Sequence, residues 1–171
     1  MDEVLRVVRQ RRSIREFERR EVTAEVVKKL SEALVWGPSA GNLQSRKFYF
    51  VTDQNLKKLI AAAALDQTFI VQAPLVVVGC TDERIGHHYG VRGVELYTIQ
   101  DVACSIMGMM LVACENGLGT VWVGAFREKE VAAALGLPGH LRPVAVVPVG
   151  YHTSKPEAPP RVPVSEAVEF R

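Results

Sequence analysis

The sequence predicts an α+β fold in which helices flank one central sheet. Several segments place apolar residues at a spacing close to 3.6, which is typical of amphipathic helices. Four other segments are rich in β-branched and aromatic residues, which favour strands. The chain has 171 residues, of which 48% are hydrophobic, and this size and composition suit a single domain with a substantial core.

The chain begins with two predicted helices. Residues 2–12 and residues 24–36 both carry apolar side chains at helical spacing. Thr23 precedes the second helix and belongs to a residue type that caps helices. Gly37-Pro38 is expected to end that helix. The segment 38–45, which consists mostly of small and amide residues, is predicted to be a loop.

A strand, a helix and a second strand follow. The aromatic and β-branched residues of 47–52 favour a strand. Asp53 is placed to cap a helix over 54–64. Residues 75–80 form an apolar run without alternation, which predicts a strand that is covered on both faces. A polar loop that carries His87-His88-Tyr89 is expected after this strand.

The longest predicted helix covers residues 93–116, and we expect it to be buried on several sides because its second half is apolar nearly all round. Asp101 lies at the edge of this apolar stretch and is expected to act as a cap or to contact a second subunit. Beyond the helix, the sequence predicts a strand over 119–126, a short helix over 128–135 and a strand over 143–151.

The last part of the chain differs in composition from the rest. Residues 152–171 contain four prolines and little core material, so they do not form a domain of their own. We therefore expect one domain over residues 1–171, with 152–171 as an extended arm. Such an arm usually lies against something, and a partner subunit with an open sheet edge is the expected place. Pro148 is expected to break the last strand.

Composition and charge exclude several classes of protein. The formal net charge is +2, which is too small to indicate a nucleic-acid or membrane partner. The amino terminus shows no signal-peptide pattern, and the apolar run around residues 102–114 is shorter than a membrane span. The three cysteines do not form a C-x-x-C pair and are interpreted as buried hydrophobes. A cytoplasmic location is therefore expected.

Several motifs that carry chemistry are missing from the sequence. It contains no phosphate-binding P-loop and no G-x-S-x-G elbow of a serine hydrolase. Gly117-Leu118-Gly119 follows a helix and leads into a strand, which is the reverse of the order in a dinucleotide-binding turn. His87 and His88 are adjacent, so they cannot act as zinc ligands from one helix face. No metal site is predicted.

The most informative segment is Gln10–Phe17, which packs three arginines and a hydroxyl group into residues 11–15. Arginine is the residue best suited to bidentate capture of a phosphate or of a planar acceptor edge. The segment therefore predicts an anion site near the start of the chain. A solvated basic turn is the alternative that the segment by itself leaves open.

Four segments resemble signatures of the nitroreductase family, the FMN-dependent oxidoreductases that also include certain NAD(P)H oxidases and dehalogenases. These segments are the amino-terminal R-R-S-I-R-E-F, the loop P-S-A-G-N-L-Q, the stretch G-L-G-T-V-W-V-G-A-F, and P-V-G-Y followed by a distal P-P-R-V-P. Their order and spacing extend the resemblance over residues 4–168. The resemblance implies a central, mostly antiparallel sheet flanked by helices, in a homodimer that binds FMN in its interface and exchanges carboxy-terminal segments.

The resemblance also implies roles for the basic residues. Arg11 and Ser13 match residues that hold the FMN phosphate and ribityl chain, and Arg12 matches a position that contacts the cofactor mainly through its backbone. Arg15 matches the cation near flavin N1 and O2. Arg161 matches a second phosphate-binding arginine. Many relatives have a lysine two residues before it, where this chain has proline, so a thinner phosphate clamp is expected here.

The flavin ring is expected to be contacted from two chains. Pro38, Ser39, Ala40 and Asn42 match the loop that the other subunit lays against the isoalloxazine. Relatives often carry Pro-Trp shortly after this loop, where this chain has Ser45-Arg46, and the shape of the neighbouring pocket wall is therefore expected to differ.

The resemblance assigns the remaining site residues to the reactive part of the ring. Gly124 and Ala125 match backbone amides that face flavin O4 and N5, and Gln67 is a candidate for the pyrimidine edge. The residues themselves leave simpler interpretations open. Arg12 at i,i+4 spacing can pair with Glu16, Asn42 can be an ordinary turn residue, and Gly124-Ala125 can be a strand end.

The function implied by the resemblance is that of an FMN-dependent oxidoreductase. In a ping-pong cycle, hydride passes from NADH or NADPH to flavin N5 and then to a flat acceptor such as a nitroaromatic or a quinone. Two alternatives are kept. One is a flavin-binding sensor or reservoir without turnover, and the other is a reductive dehalogenase or a flavin-fragmenting relative.

Overall fold

Four strands form one sheet in the computed structural model, which describes residues 2–171. They are β1 (Arg46–Val51), β2 (Leu75–Asp82), β3 (Gly119–Thr120) and β4 (Leu141–Gly150). Their order is β1-β2-β4-β3, and every neighbouring pair is antiparallel. The predicted central antiparallel sheet is confirmed.

Helices lie along the whole chain. The α-helices are α1 (Glu3–Gln10), α2 (Ala24–Trp36), α3 (Gln54–Ala63), α4 (Phe69–Gln72), α5 (Gly86–Arg92), α6 (Thr98–Glu115), α7 (Glu128–Leu135) and α8 (Val164–Ala167). Shorter helical turns occupy Ala40–Asn42, Glu83–Ile85 and Gly93–Tyr97. The predicted α+β class is therefore confirmed.

Side-chain caps begin two of the helices where the sequence predicts them. Thr23 Oγ1 accepts a hydrogen bond from the Val26 amide at 3.4 Å, and α2 has the predicted bounds. Asp53 Oδ1 accepts from the Leu56 amide at 2.8 Å. Each cap satisfies one of the amides that a helix start leaves without a partner.

Two layers of helices cover the sheet, one on each face. Residues of α3, α4 and α7 form a buried cluster with one side of the sheet, which includes Val76 and Val78. Residues of α2 and α6 form a second cluster with Leu75 and Val77. Every residue of β2 from Leu75 to Thr81 is buried, so this central strand is covered on both faces, as its uninterrupted apolar run predicts.

The helical stretch Glu83–Glu115 is long and apolar enough to cross a membrane by length and composition, and 44% of its apolar window is buried. Among the residues that the structure describes, it is the one such stretch. The core helix of a soluble protein passes the same test. Val102, Ile106 and Met109 are fully buried in the cluster with Leu75 and Val77, which accounts for the apolar composition of α6.

The segment that carries the adjacent histidines is helical, so the predicted polar loop is wrong. Residues 83–85 and 86–92 form short helices that lead into α6. The glycines of this segment lower its intrinsic helix propensity, and Gly90 has the non-helical angles φ 56° and ψ −149°. The Tyr89 and Tyr97 rings meet edge to face at 5.4 Å, and the Tyr89 hydroxyl group lies against Gly41, which is far away in the chain.

The third strand is shorter than predicted, because only Gly119 and Thr120 of the segment 119–126 pair continuously with β4. Val123 and Val146 then exchange two further hydrogen bonds. The same register puts Pro148 opposite Val121, and proline has no N–H to donate there. The prediction that Pro148 breaks the last strand is wrong, because β4 continues through Pro148 to Gly150; the interruption falls in the edge strand β3 instead.

Two smaller expectations are also corrected. Cys80 is buried, but Cys114 is half-buried and Cys104 is exposed, so the cysteines are not all core residues. The arm over 152–171 is extended except for the single turn α8, and every residue from 153 onward is exposed in the single chain.

The close approach of α6 to β2 depends on Gly79, and replacing this residue tests the packing. A Cβ at Gly79 would lie 2.7 Å from Ile106 Cδ1 and 2.9 Å from Val102 Cγ1. Both neighbours are fully buried, so Gly79→Ala is expected to lower the free energy of unfolding by about 1–3 kcal/mol. Urea denaturation measures this loss.

Gly139→Ala is the matched control for that variant, because a Cβ there would meet no atom within 4 Å. Its free energy of unfolding is expected to stay within about 0.5 kcal/mol of the parent value. Equal stability of the two variants would contradict the packing assigned to Gly79.

Candidate functional site

The basic segment near the start of the chain lies along the open side of β3. Ser13 forms a parallel bridge with Thr120, and the Ile14 amide donates to the Thr120 carbonyl at 3.0 Å. Ile14 is 3% exposed, and its side chain lies against Gly119, where a Cβ would clash with it. Neighbouring side chains of an extended segment point in opposite directions, so Ser13 and Arg15 are exposed.

The arginines of this segment differ in their partners. Within residues 2–171, the side chains of Arg11 and Arg15 form neither a hydrogen bond nor an ion pair, and the closest ring to the Arg15 guanidinium is that of Phe69, at 5.9 Å. Arg12 Nη1 donates to the carbonyls of Arg9 and Arg11 at 2.6 and 2.9 Å. The alternative in which Arg12 pairs with Glu16 is therefore wrong.

One atom of this segment is buried without a partner. Arg12 Nε has no hydrogen-bond acceptor among the described residues. A buried donor without an acceptor costs free energy, and such atoms often indicate a site that a ligand completes. Within the described residues, the segment thus offers free donors in two places, the guanidinium groups of Arg11 and Arg15 and the buried Arg12 Nε.

A small cleft of about 110 Å³ opens beside this segment. Its basic lining residues are Arg11, Arg12, His152 and Lys155, and it is closed on the other side by the turn Gly117–Thr120. His152 and Lys155 are not among the site residues that the sequence predicts. Both lie on the arm side of β4, and only the fold brings them to the basic segment.

Gln67 lies beside the residues that follow β3. Its Nε2 donates to the Ala64 carbonyl at 2.8 Å and to the Ala125 carbonyl at 3.3 Å. Gly124 and Ala125 are exposed, and among the hydrogen bonds of the described residues neither of their amides has an acceptor. The structure thus brings Gln67 together with Gly124 and Ala125, and Arg15 lies nearby over Phe69.

The loop residues form a separate group. Ser39 Oγ accepts from the Gln44 amide at 3.1 Å, and the Ala40 amide donates to Asp101 Oδ1 at 3.0 Å. Asn42 has a positive φ of 56°, which asparagine tolerates better than most residues. Asp101 does not cap α6, which begins without a side-chain cap; its carboxylate instead accepts the Ala40 amide at the centre of the loop, and a contact of Asp101 with a second subunit stays a prediction.

The sheet separates this loop group from the basic segment. The loop leads into Arg46 at the start of β1. Arg46 pairs with Thr81 of β2, which pairs in turn with Arg142 near the start of β4. Thr120 of β3, beside the basic segment, pairs with Val149 near the end of β4. Arg142 and Val149 are about 23 Å apart along β4, and β1 and β3 are three strand spacings, about 14 Å, apart. Within one chain the two groups therefore lie at opposite corners.

The long helix gives an independent measure of the same separation. Asp101 in the first turn of α6 binds the loop, whereas residues 117–120, beside the basic segment, follow the last turn. An 18-residue helix is about 27 Å long. Both measures show that one chain cannot bring the two groups onto one ligand face.

Arg161 joins neither group within the chain. It is exposed, and its Nη1 donates to the carbonyls of Pro159 and Pro160, its own neighbours, at 3.3 and 3.1 Å. The assignment of Arg161 to the phosphate remains a prediction.

Other groups of potential chemical interest lie outside these two groups. Burial raises the pKa of the Cys80 thiol to about 12, so this cysteine is not a nucleophile at neutral pH. In residues 2–171, no group of three or more His, Cys, Asp or Glu side chains is placed to hold a metal ion. A cavity of about 990 Å³ lies beside Arg20 and Lys57, and none of the predicted site residues lines it.

Comparisons with known proteins agree with this architecture. The model of the nitroreductase family matches residues 8–151. An FMN reductase from Bacillus subtilis, whose name includes NAD(P)H, is 31% identical to this chain. The match covers 100% of this chain and 74% of the length of that relative. The NADPH-flavin oxidoreductase of Vibrio harveyi is 28% identical over 98% of this chain and 73% of its own.

Solved structures show the same fold. NfrA2 from B. megaterium superposes with a TM-score of 0.92 at 27% identity, covering 99% of this chain and 74% of its own. The NADPH:FMN oxidoreductase from Vibrio harveyi, solved in complex with NAD+, superposes with a TM-score of 0.90 at 25% identity. The match covers 99% of this chain and 77% of the Vibrio harveyi chain. A nitroreductase-like fold is thereby established for this chain.

Proposed function

Because this chain belongs to the nitroreductase family, we propose that it is an FMN-dependent oxidoreductase that uses NADH or NADPH to reduce a flat acceptor such as a nitroaromatic or a quinone. One observation carries the proposal. The guanidinium groups of Arg11 and Arg15 have no partner within the described chain, and they lie on the same edge of the fold as Gln67 and the free amides of Gly124 and Ala125.

The donors present fit the phosphate of FMN. A phosphate dianion needs several charged donors, ideally including the planar fork of arginine. Arg11 and Ser13 can supply a guanidinium and a hydroxyl, and the buried Arg12 Nε lacks an acceptor. Lys155 lies on the same cleft as Arg11 and Arg12, so it offers a further cation there.

The other residues fit the ring. When bound, FMN supplies the redox chemistry by taking a hydride from the nicotinamide at N5 and passing it to the acceptor. Arg15 is assigned to the N1–O2 edge, where a fixed cation stabilises the negative charge of the reduced form. Gln67 is assigned to the pyrimidine edge. Gly124 and Ala125 provide amides without a bulky side chain.

The loop of Pro38, Ser39, Ala40 and Asn42 is assigned to the flavin of a second copy, in a homodimer. The loop and the basic segment lie at opposite corners of the sheet, so the loop cannot reach the basic segment of its own chain. This separation supports the assignment. Exposed apolar residues support it too: Val35 and Trp36, directly before the loop, are 64% and 80% exposed. Apolar surface of this kind, next to a site, is typical of an interface.

The arm over 152–171 is assigned to the same interface. Val162, Val164, Val168 and Phe170 are all exposed in the single chain, the last to 93%. Residues 1–171 then form one domain whose arm, with Arg161, packs on the partner subunit. We further propose a cytoplasmic location, with which the three free cysteines agree.

Flavin absorbance tests the proposed activity directly. The purified protein is expected to bind FMN, and NADH or NADPH added without oxygen is expected to bleach the bound flavin within seconds. A quinone should restore the colour. A bound flavin that neither nucleotide bleaches would favour a sensor or reservoir, and a protein that does not bind FMN would refute the proposal.

Arg15→Ala tests the role assigned to that guanidinium. FMN should still bind, because the phosphate contacts remain, but its midpoint potential should fall. Loss of a charged hydrogen bond to the reduced ring, about 1.5–3 kcal/mol, corresponds to roughly 30–60 mV for a two-electron couple. Anaerobic titration measures the potential, and stopped-flow absorbance should show slower reduction by NADH or NADPH.

Two further variants make the Arg15 experiment specific. Arg15→Lys keeps the positive charge and should restore most of the potential. Arg19→Ala removes an exposed arginine four residues further along the chain and should leave the potential unchanged. If Arg15→Ala matches the parent in both potential and rate, the role of Arg15 is wrong.

Subunit mixing tests whether one site draws on two chains. Arg11→Ala and Asn42→Ala should each weaken FMN-dependent activity in the pure homodimer. After the two variants are mixed and allowed to exchange subunits, random pairing should give roughly a quarter of the sites both native residues. The mixture should therefore be more active than either variant. Two variants that stay as weak together as apart would contradict a shared site.

A further inference from the structure

The loop 38–42 has few internal bonds of its own. The Asn42 amide donates to the Ser39 carbonyl and the Leu43 amide to the Ala40 carbonyl, both at 3.0 Å. Gly41 and Asn42 have positive φ values of 55° and 56°, a region that is costly for a residue with a side chain. Conformations of this kind persist only where the surroundings hold them.

Arg46, the first residue of β1, holds the chain on the amino-terminal side of this loop. Its Nη2 donates to the Gly37 carbonyl at 2.6 Å and to the Val35 carbonyl at 3.2 Å, and its Nη1 donates to the Pro38 carbonyl at 3.4 Å. The last carbonyls of a helix have no partner within the helix. One guanidinium thus caps the end of α2 and fixes the entrance of the loop.

Asp101 holds the middle of the loop. It is 5% exposed, and its Oδ1 accepts the Ala40 amide at 3.0 Å. Burial raises the pKa of this carboxyl group, whereas the Ala40 amide and the nearby charge of Arg46 act in the other direction. The two groups interact electrostatically, although no ion pair within 4.0 Å joins them among the described residues. Opposite charges therefore hold neighbouring parts of the loop backbone.

Close packing beneath the loop leaves it little space to shift toward α6. A Cβ at Gly37 would lie 2.5 Å from Ser105 Oγ and 2.8 Å from Ser105 Cα. The loop entrance therefore rests on the backbone of α6. Tyr89 lies against Gly41 from the other side, since a Cβ at Gly41 would meet its hydroxyl group.

We propose that Arg46 and Asp101 are positioning residues, which fix the loop 38–42 in the conformation that meets the flavin of a second copy. This inference rests on the proposed function. Between them, the two side chains bind three carbonyls and one amide of residues 35–40. The backbone is thereby held from within its own chain, and the outer surface of the loop is left for a ligand.

Amide hydrogen exchange of the FMN-free protein tests the anchoring by itself. Losing a charged hydrogen bond is expected to speed exchange of the hydrogen-bonded amides of Ala40 and Asn42 roughly tenfold or more in Arg46→Ala and in Asp101→Ala. Asp101→Asn keeps an acceptor oxygen for Ala40 and should retain protection. Arg46→Lys should recover only part of it, because an ammonium group does not span three carbonyls in a fixed fork.

Arg142→Ala is the matched control. Arg142 also lies near the start of a strand, but it binds Glu128 on α7 at 2.7 Å. This variant should leave exchange in the loop unchanged. Urea denaturation of each variant separates a local change from general loss of stability. If residues 37–42 exchange equally fast in the parent, Arg46→Ala and Asp101→Ala, the proposal is overturned.

The second measurement uses the FMN-loaded protein. In Arg46→Ala and Asp101→Ala, the dissociation constant of FMN should rise roughly tenfold, and the near-ultraviolet and visible circular dichroism of the bound flavin should change. Asp101→Asn should behave like the parent. Faster loop exchange with unchanged FMN affinity and dichroism would overturn the link to the flavin. If the parent does not bind FMN, the proposed function fails, while the exchange data still decide the anchoring.

Discussion

The antiparallel sheet is the constraint on which the candidate site depends. Its four strands are locked by backbone hydrogen bonds and covered on both faces, so the ends of the sheet are held at fixed separations. The loop 38–42 lies at one corner, and the basic segment at the opposite one. No rearrangement of loops that preserves the sheet brings these two groups together within one chain. A ligand that used both groups would need a second copy of the chain, and for this reason the proposed site is shared between two subunits.

Each corner is built by a different kind of interaction. At the basic corner, backbone pairing between the segment 13–14 and Thr120 holds the chain in an extended conformation. This pairing exposes Ser13 and Arg15 and leaves the guanidinium groups of Arg11 and Arg15 free. At the loop corner, charged side chains hold the backbone instead. The charges at the basic corner are available to bind a ligand. The charges at the loop corner support the backbone that is expected to meet the ligand.

Local patterns predict the fold well where a segment's own residues decide its structure. The bounds of α2 and α7 follow from apolar spacing, and Thr23 and Asp53 cap helices as their residue types suggest. The predictions fail where distant residues decide. The glycine-rich segment 83–92 is helical because of its aromatic contacts. The strand predicted over 119–126 is interrupted opposite Pro148, which is more than twenty positions away in the chain.

The sequence by itself determined the α+β class, the family, and the residue types that can bind a phosphate and a flat ring, because these are recorded in local spacing and in short motifs. Only the tertiary structure decided which of those residues meet. It brought Gln67 to Ala125 and Lys155 to the basic cleft, placed Arg46 and Asp101 around the loop, and kept that loop from Arg11. The physical reason is that strand order and register set distances between segments far apart in the chain, and no local pattern encodes those distances.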